Sequence, residues 1–324
     1  MTAAPKKVEF AVFAPGFDPN VGGYIVLHYL CHLLNELGHT AHLIPLFSSA
    51  EISPVDSDET VRALFDQRSQ IRKSPYRVNP DWNTPLYRRP LKGIAKRDDL
   101  VVVYPEIVFG NPLRAKHVAR WLLHDPGFHN KDVYFVPGEV HFRYLEMHRP
   151  VPTPWIEIAE QLLTVTYIPW EHYQPPPDGT ERKGTAYILR KGAKKALVHD
   201  LTDSVCVDGM NHAQIGEICR RVKTFISYDT RTMYSALAAI AGVDSVVIPD
   251  AGVAEDEWQP VERYRYGLAY GWDRLDWARS TRHLTAERFR QMQADSAEST
   301  AIFARFWAAR LGASSQRDRA ASLG

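Results

Sequence analysis

The chain has 324 residues, 45% hydrophobic and 24% charged, with a formal net charge of +1. That length exceeds one comfortable hydrophobic core and predicts two α/β domains. The near-zero charge excludes a global field that favours nucleic acid or membrane, so either partner would need a local patch.

The three cysteines, Cys31, Cys206 and Cys219, are far apart and lack CxxC spacing. This argues against a disulfide framework or a zinc knuckle and for a reducing, cytoplasmic setting. No apolar run approaches the ~20 residues of a membrane span, and the N-terminus lacks a secretory apolar core.

The first unit reads strand, loop, helix, strand. Residues 8–14 are rich in β-formers, 15–23 form a glycine- and proline-rich loop, and Ile25, Leu27, Leu30, Leu33, Leu34 and Leu37 fall at helical spacing. Gly38 closes the helix and 39–47 is the next strand, which implies a parallel pair with a crossover. A polar connection and a short helix at 60–65 follow. Residues 68–97 then hold nine basic residues and one acid, Asp81, with prolines at 75, 80, 85 and 90. This cationic, aperiodic stretch reads as a solvated loop, as a surface for anionic headgroups with Trp82 and Tyr87 at the interface, or as a surface for a charged glycan.

Residues 99–104 form a buried strand, and 114–123 and 132–136 continue the α/β alternation. The seam at Pro150, Pro152 and Pro154 is the expected boundary between an N-terminal domain, 1–152, and a C-terminal one, 153–284. Beyond it, strands are expected at 163–168, 185–189, 204–207, 224–227 and 245–248. Helices intervene: Asn211 caps one that carries Ile215, Ile218, Cys219 and Val222, and 232–241 ends at Gly242. A last helix near 285–310 opens a segment, 285–324, that packs back across the domains and ends in a frayed tail. The fold class is α/β, with two doubly wound parallel sheets.

Four places carry candidate chemistry. Gly22 and Gly23, between strand and helix, form either a tight turn or a place where a ligand meets the backbone and open amides. At 187–195 a strand delivers Arg190, Lys191, Lys194 and Lys195 to its carboxyl end, where α/β proteins bind ligands. These cations suit a diphosphate that gains charge as its bond breaks; a solvated basic turn is the plainer reading. At 225–235 a strand runs through Ser227, Tyr228, Asp229, Thr230 and Thr232 into a helix, either an anion-binding start or an N-cap by Asp229 or Thr230. Glu106, just past a buried strand, is the leading catalytic candidate as a general base, set against a role as a turn cap. Asp125, Glu139 and His141 are runners-up on the acceptor side.

Asp56-Ser57-Asp58 has a DxD form but follows no strand, so a helix cap is the better reading. His141, Glu146 and His148 lack HExxH spacing, so no metal is expected, and neither a GxSxG nor a P-loop pattern occurs.

Three blocks, GGYIVLHYLCHLLNELGH (22–39), ILRKGAKK (188–195) and FISYDTRTMYSALAAIAGVDSVVIP (225–249), resemble retaining GT-B glycosyltransferases of bacterial polysaccharide assembly, of the GT4-like type. The resemblance implies two Rossmann-like domains facing a cleft. The nucleotide sugar would sit on the C-terminal domain and the acceptor, a glycan or lipid-linked glycan, on the N-terminal one. Carried over by position, Arg190 and Lys191 contact the diphosphate, Lys195 belongs to the same basic segment, and Ser227, Tyr228 and Thr232 line the donor pocket. Gly22 and Gly23 approach the donor phosphate or sugar.

The chain departs from the family at a glutamate pair, where it has Thr230 and Leu237; Asp229 is the substitute considered for the ribose contact. The expectation is a cytoplasmic sugar transferase with peripheral inner-membrane contact through 68–97, no cofactor and no nucleic-acid partner. The rivals are a sugar-nucleotide epimerase of the same architecture and a non-catalytic subunit that binds a glycan or a partner protein.

Overall fold

The computed structural model describes residues 7–46, 75–128 and 133–321, with side chains as far as 313. The expected DxD at 56–58, the helix at 60–65 and residues 68–74 of the cationic stretch lie outside the described residues. The chain divides into two compact units, one of residues 1–167 with 294–324, the other of residues 168–293.

The first unit holds a six-stranded parallel sheet in the order β2-β1-β3-β4-β5-β6. Its strands are β1 (Glu9–Ala14), β2 (Thr40–Pro45), β3 (Leu100–Pro105), β4 (His117–Leu122), β5 (Val140–Arg143) and β6 (Glu157–Ile158). The central strands are nearly continuous apolar runs because helices or loops cover both faces. On one face Phe10, Val12 and Ala14 pack with Leu27, Leu30 and Leu34 of helix α1 (Gly22–Glu36) and with Phe303 and Trp307. On the other, Ala11, Phe13, Val102 and Tyr104 meet Tyr87, Ile94, Val108 and Leu113.

That second face corrects the reading of 68–97 as a loose cationic excursion. Its described part is docked: Tyr87 and Ile94 are core residues, and Leu43 and Leu86 form a parallel bridge. Arg97 pairs with Glu9 at 2.7 Å and with Asp99, and Arg89 also reaches Glu9. Trp82 packs among Phe17, Tyr29, His32 and Tyr167, so neither aromatic is spread on the surface as an interface anchor.

The second unit holds a five-stranded parallel sheet in the order β11-β10-β9-β7-β8. Its strands are β7 (Thr185–Ile188), β8 (Ser204–Cys206), β9 (Thr224–Ser227), β10 (Asp244–Val247) and β11 (Leu268–Tyr270). Helix α2 (His212–Arg221) starts at Asn211 with a full capping box: Asn211 accepts from the Gln214 amide, and Gln214 accepts in return. Its buried Ile215, Ile218 and Cys219 share a core with Ile188, Phe225 and Leu237. Helix α3 (Tyr234–Ile240) is all buried and ends before Gly242, whose φ of +80° is the left-handed stop expected there. A short helix α4 (Glu255–Trp258) precedes β11.

Helix α5 runs unbroken over Leu275–Ala321, starting earlier than expected. The boundary also differs from the one expected at 152. β6 pairs with β5, Val140 facing Glu157, so the segment after the prolines stays with the first sheet. Residues 163–168 form no strand. In the first unit the Thr164 and Thr166 amides donate to the hydroxyls of Ser299 and Ser296, and in the second the Ile168 amide donates to Gln293, each near 2.9–3.0 Å. Helix side chains thus replace a sheet ladder. Residues 133–136, expected to continue the α/β alternation, form neither helix nor strand. Two Rossmann-like parallel sheets, one per unit, are the composition that the sequence led us to expect.

One buried ion pair braces the first sheet. Arg120 on β4 is fully buried and binds both carboxylate oxygens of buried Glu139, at 2.9 and 2.7 Å. Its remaining donors reach the carbonyls of Val108 and Gly110, both at 2.6 Å, and so hold the loop that follows β3. Removing one member strands the other charge in the core. Arg120→Met should therefore lower the first unit's unfolding free energy by about 3–5 kcal/mol, measured by urea denaturation. A far smaller loss would mean that Glu139 is neutralised at little cost.

Candidate functional site

Each sheet has one point where the strand order reverses, between β1 and β3 in the first unit and between β7 and β9 in the second. Ligands of open α/β sheets settle outside the carboxyl ends of strands at such points.

In the second unit the β7 end carries Arg190, Lys191 and Gly192 in a single tight turn, and the β9 end carries Tyr228 and Asp229. The two ends touch. A β-carbon added at Gly192 would collide with the Tyr228 carbonyl, so only glycine lets the backbones approach this closely. Arg190 is exposed, and its guanidinium carbon lies 5.6 Å from the Tyr234 ring centre. Burial lowers the Lys191 ammonium pKa; Asp229 opposes this, and the nearby charges of Arg190 and Arg231 add to it. Arg231 is exposed on the loop between β9 and α3, so three cations gather at the switch point. Arg231 was missed in the sequence because a lone arginine between threonines carries no pattern; only the fold brings it beside Lys191.

Several expected donor contacts are spent elsewhere. Ser227 is fully buried, and its hydroxyl donates to the Asp229 carbonyl at 2.7 Å. The Tyr228 ring is equally buried; its hydroxyl accepts from the Val198 amide at 2.8 Å and lies 2.7 Å from His199 Nδ1. Asp229 is buried and accepts from the Arg231 amide at 3.0 Å, a turn bond rather than a ribose contact. Lys195 donates to the Ile248 carbonyl and pairs with Asp250, each at 2.7 Å, tying the β7 turn to the end of β10. These four residues build the turn, and their side chains do not line it. Thr232 is half-buried and accepts from the Tyr234 amide at 3.4 Å. Neither Asp229 nor Thr230 caps α3, whose N-cap position is Met233; the Thr230 hydroxyl donates to Asp250 at 2.9 Å.

In the first unit the loop after β1 leads into α1, which no side chain caps, so its first amides lack helical partners. A β-carbon at Gly22 would meet open space and one at Gly23 only ordinary contact with Leu123, at 3.8 Å. Neither has a positive φ, so neither the backbone nor packing demands glycine at these two positions. The loop is fixed from behind. His28 Nε2 donates to the Pro15 carbonyl at 2.8 Å, and the Tyr76 hydroxyl lies 3.1 Å from the same oxygen. Burial brings the His28 pKa down to about 4, so the ring is neutral.

Glu106 follows β3 across the switch point, and its carboxylate accepts from the Leu123 amide at 3.1 Å. Leu123 thus bonds Glu106 through its amide and is the side chain that a residue larger than glycine at 23 would meet. Burial raises the Glu106 pKa to about 7, against the pull of its own amide, the Leu123 amide and Arg120. Asp125, half-buried beyond β4, accepts from the Arg149 amide at 2.7 Å. Glu139 and His141 are not acceptor groups. Glu139 precedes β5 instead of following a strand, and both side chains are sealed in the core around Arg120. Burial pushes the Glu139 carboxyl up, but the charge of Arg120 and the hydrogen bonds outweigh it and leave the group below its usual range. Among the described residues, no three His, Cys, Asp or Glu side chains are grouped to hold a metal, and no helix is long and apolar enough to cross a membrane.

No protein-family model matches the chain, and no curated protein matches it in sequence. Solved structures are similar to it at low identity. The glycosyltransferase SnogD from Streptomyces nogalater is 16% identical with a TM-score of 0.40, over 92% of this chain and 99% of that one. The glycotransferase of kitacinnamycin is 11% identical with a TM-score of 0.44, over 93% and 99%. MurG of Acinetobacter baumannii is 9% identical with a TM-score of 0.37, over 92% and 99%.

Two outcomes follow from this geometry. Gly192→Ala should cost about 1–3 kcal/mol, because the β7 and β9 ends must separate, as read from the denaturation midpoint. The second concerns Glu106. Between about pH 4.5 and 7 the folded chain holds a proton that the unfolded chain has released, so stability falls as pH rises through that window. Glu106→Gln should thus gain on the wild type across the window, by up to roughly 3 kcal/mol at its upper end; parallel stability curves would contradict the raised pKa.

Proposed function

We propose that this chain is a glycosyltransferase that moves a sugar from a nucleotide-sugar donor to a glycan or lipid-linked glycan acceptor. The observation that carries the reading is the meeting of Arg190, Lys191 and Arg231 at the switch point of the second sheet. A cationic rim over a tight backbone contact suits a diphosphate. As the glycosidic bond breaks, negative charge builds on that leaving group, and fixed cations stabilise it most when it is greatest. The three sequence blocks that resemble GT-B transferases support the same reading. On this proposal the second unit holds the donor and the first unit the acceptor.

Glu106 is the base on this reading. A carboxylate with a pKa near 7 is poised to accept a proton from an acceptor hydroxyl at neutral pH. On this reading the glycines at 22 and 23, which packing does not require, leave the start of α1 open to a ligand. The resemblance implies a retaining outcome, whereas a base acting on the acceptor favours direct displacement with inversion; the anomeric configuration of the product decides between them.

A screen of UDP, GDP, dTDP and CMP sugars by calorimetry tests the proposal. One donor should bind, and Arg190→Ala should weaken it roughly ten- to a hundredfold, the loss of a charge-assisted contact. Arg231→Ala should weaken it by about threefold or more. A chain that ignores every donor yet binds a glycan would be a non-catalytic subunit, and an epimerised donor in the absence of acceptor would mark an epimerase. Glu106→Gln should cut turnover by about a hundredfold with donor affinity unchanged, measured under saturating donor; a wild-type rate removes Glu106 from the mechanism.

A further inference from the structure

We infer that Asp208 is a positioning residue for the donor site, clamping the turn that presents Arg190. The inference rests on the donor reading of that site. Arg190 has a φ of +39° and is one of only three non-glycine residues with positive φ among the described residues. An L residue with a long side chain avoids that region unless its surroundings hold it there.

The holding group is Asp208. The Leu189 amide donates to its carboxylate at 3.1 Å and the Arg190 amide at 3.3 Å. Asp208 lies just past β8, and β8 pairs with β7, so the clamp joins the tips of two neighbouring strands. The Cys206 thiol also lies 3.7 Å from the carboxylate. With the turn so fixed, the Arg190 guanidinium leaves over the buried Tyr234 ring.

The charge of Asp208 makes the inference sharp. An anion beside an anion site repels the ligand, so by Coulomb's law alone its removal should tighten binding. If instead its work is to hold Arg190 in place, removal should weaken binding. The two views differ in sign.

The test titrates inorganic pyrophosphate into the full chain by calorimetry, with circular dichroism to verify folding. Asp208→Ala should weaken binding by about fivefold or more. Asp208→Asn, whose amide oxygen still accepts from the turn, should stay within about twofold of the wild type. In an Arg190→Ala background, Asp208→Ala should add less than about twofold, since its effect travels through Arg190. Should the alanine variant fail to fold, Asp208→Ser carries the same comparison.

Unchanged or tighter binding in Asp208→Ala overturns the inference. So does a loss that persists undiminished without the Arg190 side chain, which would mark a merely structural role. If the wild-type chain binds neither pyrophosphate nor any nucleotide sugar, the functional reading falls and takes this inference with it. Binding that is present but indifferent to Asp208 removes this inference alone.

Discussion

Gly192 lies against the Tyr228 carbonyl with no room for a side chain between them. That contact joins the ends of β7 and β9, the two strands that flank the reversal of the second sheet. The polar residues around it serve the same junction. Ser227 bonds within the turn, Tyr228 anchors the loop at 198–199, and Lys195 ties the turn to Asp250. Three cations, Arg190, Lys191 and Arg231, are left exposed on the turns around it, while the Asp208 carboxylate is engaged by the Leu189 and Arg190 amides. On the proposed reading this junction and its cationic rim are a preorganised anion site, and preorganisation is what makes such charges effective on a developing leaving group.

The first unit is built by a parallel logic with opposite electrostatics. Its reversal point holds a buried acid, and Arg120, fully occupied by Glu139 and by the carbonyls of the 105–110 loop, keeps that loop in place. Glu106 is left with its own amide and that of Leu123 as partners, and burial still raises its pKa. Arginine in one unit is a beam and in the other a rim.

Periodicity and punctuation made much of the fold legible. The apolar runs at 100–105 and 224–227, the cap at Asn211 and the stops at Gly38 and Gly242 each have a local cause that a sequence displays. The docking of 75–97 was not legible, because its proline spacing and charge hid Tyr87 and Ile94, which are buried by contacts distant in sequence. The segment at 163–168 misled for a related reason. It has the composition of a strand, but its amides are satisfied by Ser296, Ser299 and Gln293 across more than a hundred residues of chain. At the site, position at a strand end was legible and side-chain direction was not. Arg190 and Lys191 face outward while Ser227, Tyr228 and Asp229 turn inward, because a tight junction needs its polar groups for itself.

The most direct measurement of the central claim is amide hydrogen exchange with and without a saturating nucleoside diphosphate. Slowed exchange should concentrate in the turn at 189–195 and the loop at 228–233, where ligand and junction would stiffen together. Slowing that spares both segments and falls elsewhere in the chain would contradict the claim that this junction is where the diphosphate is held.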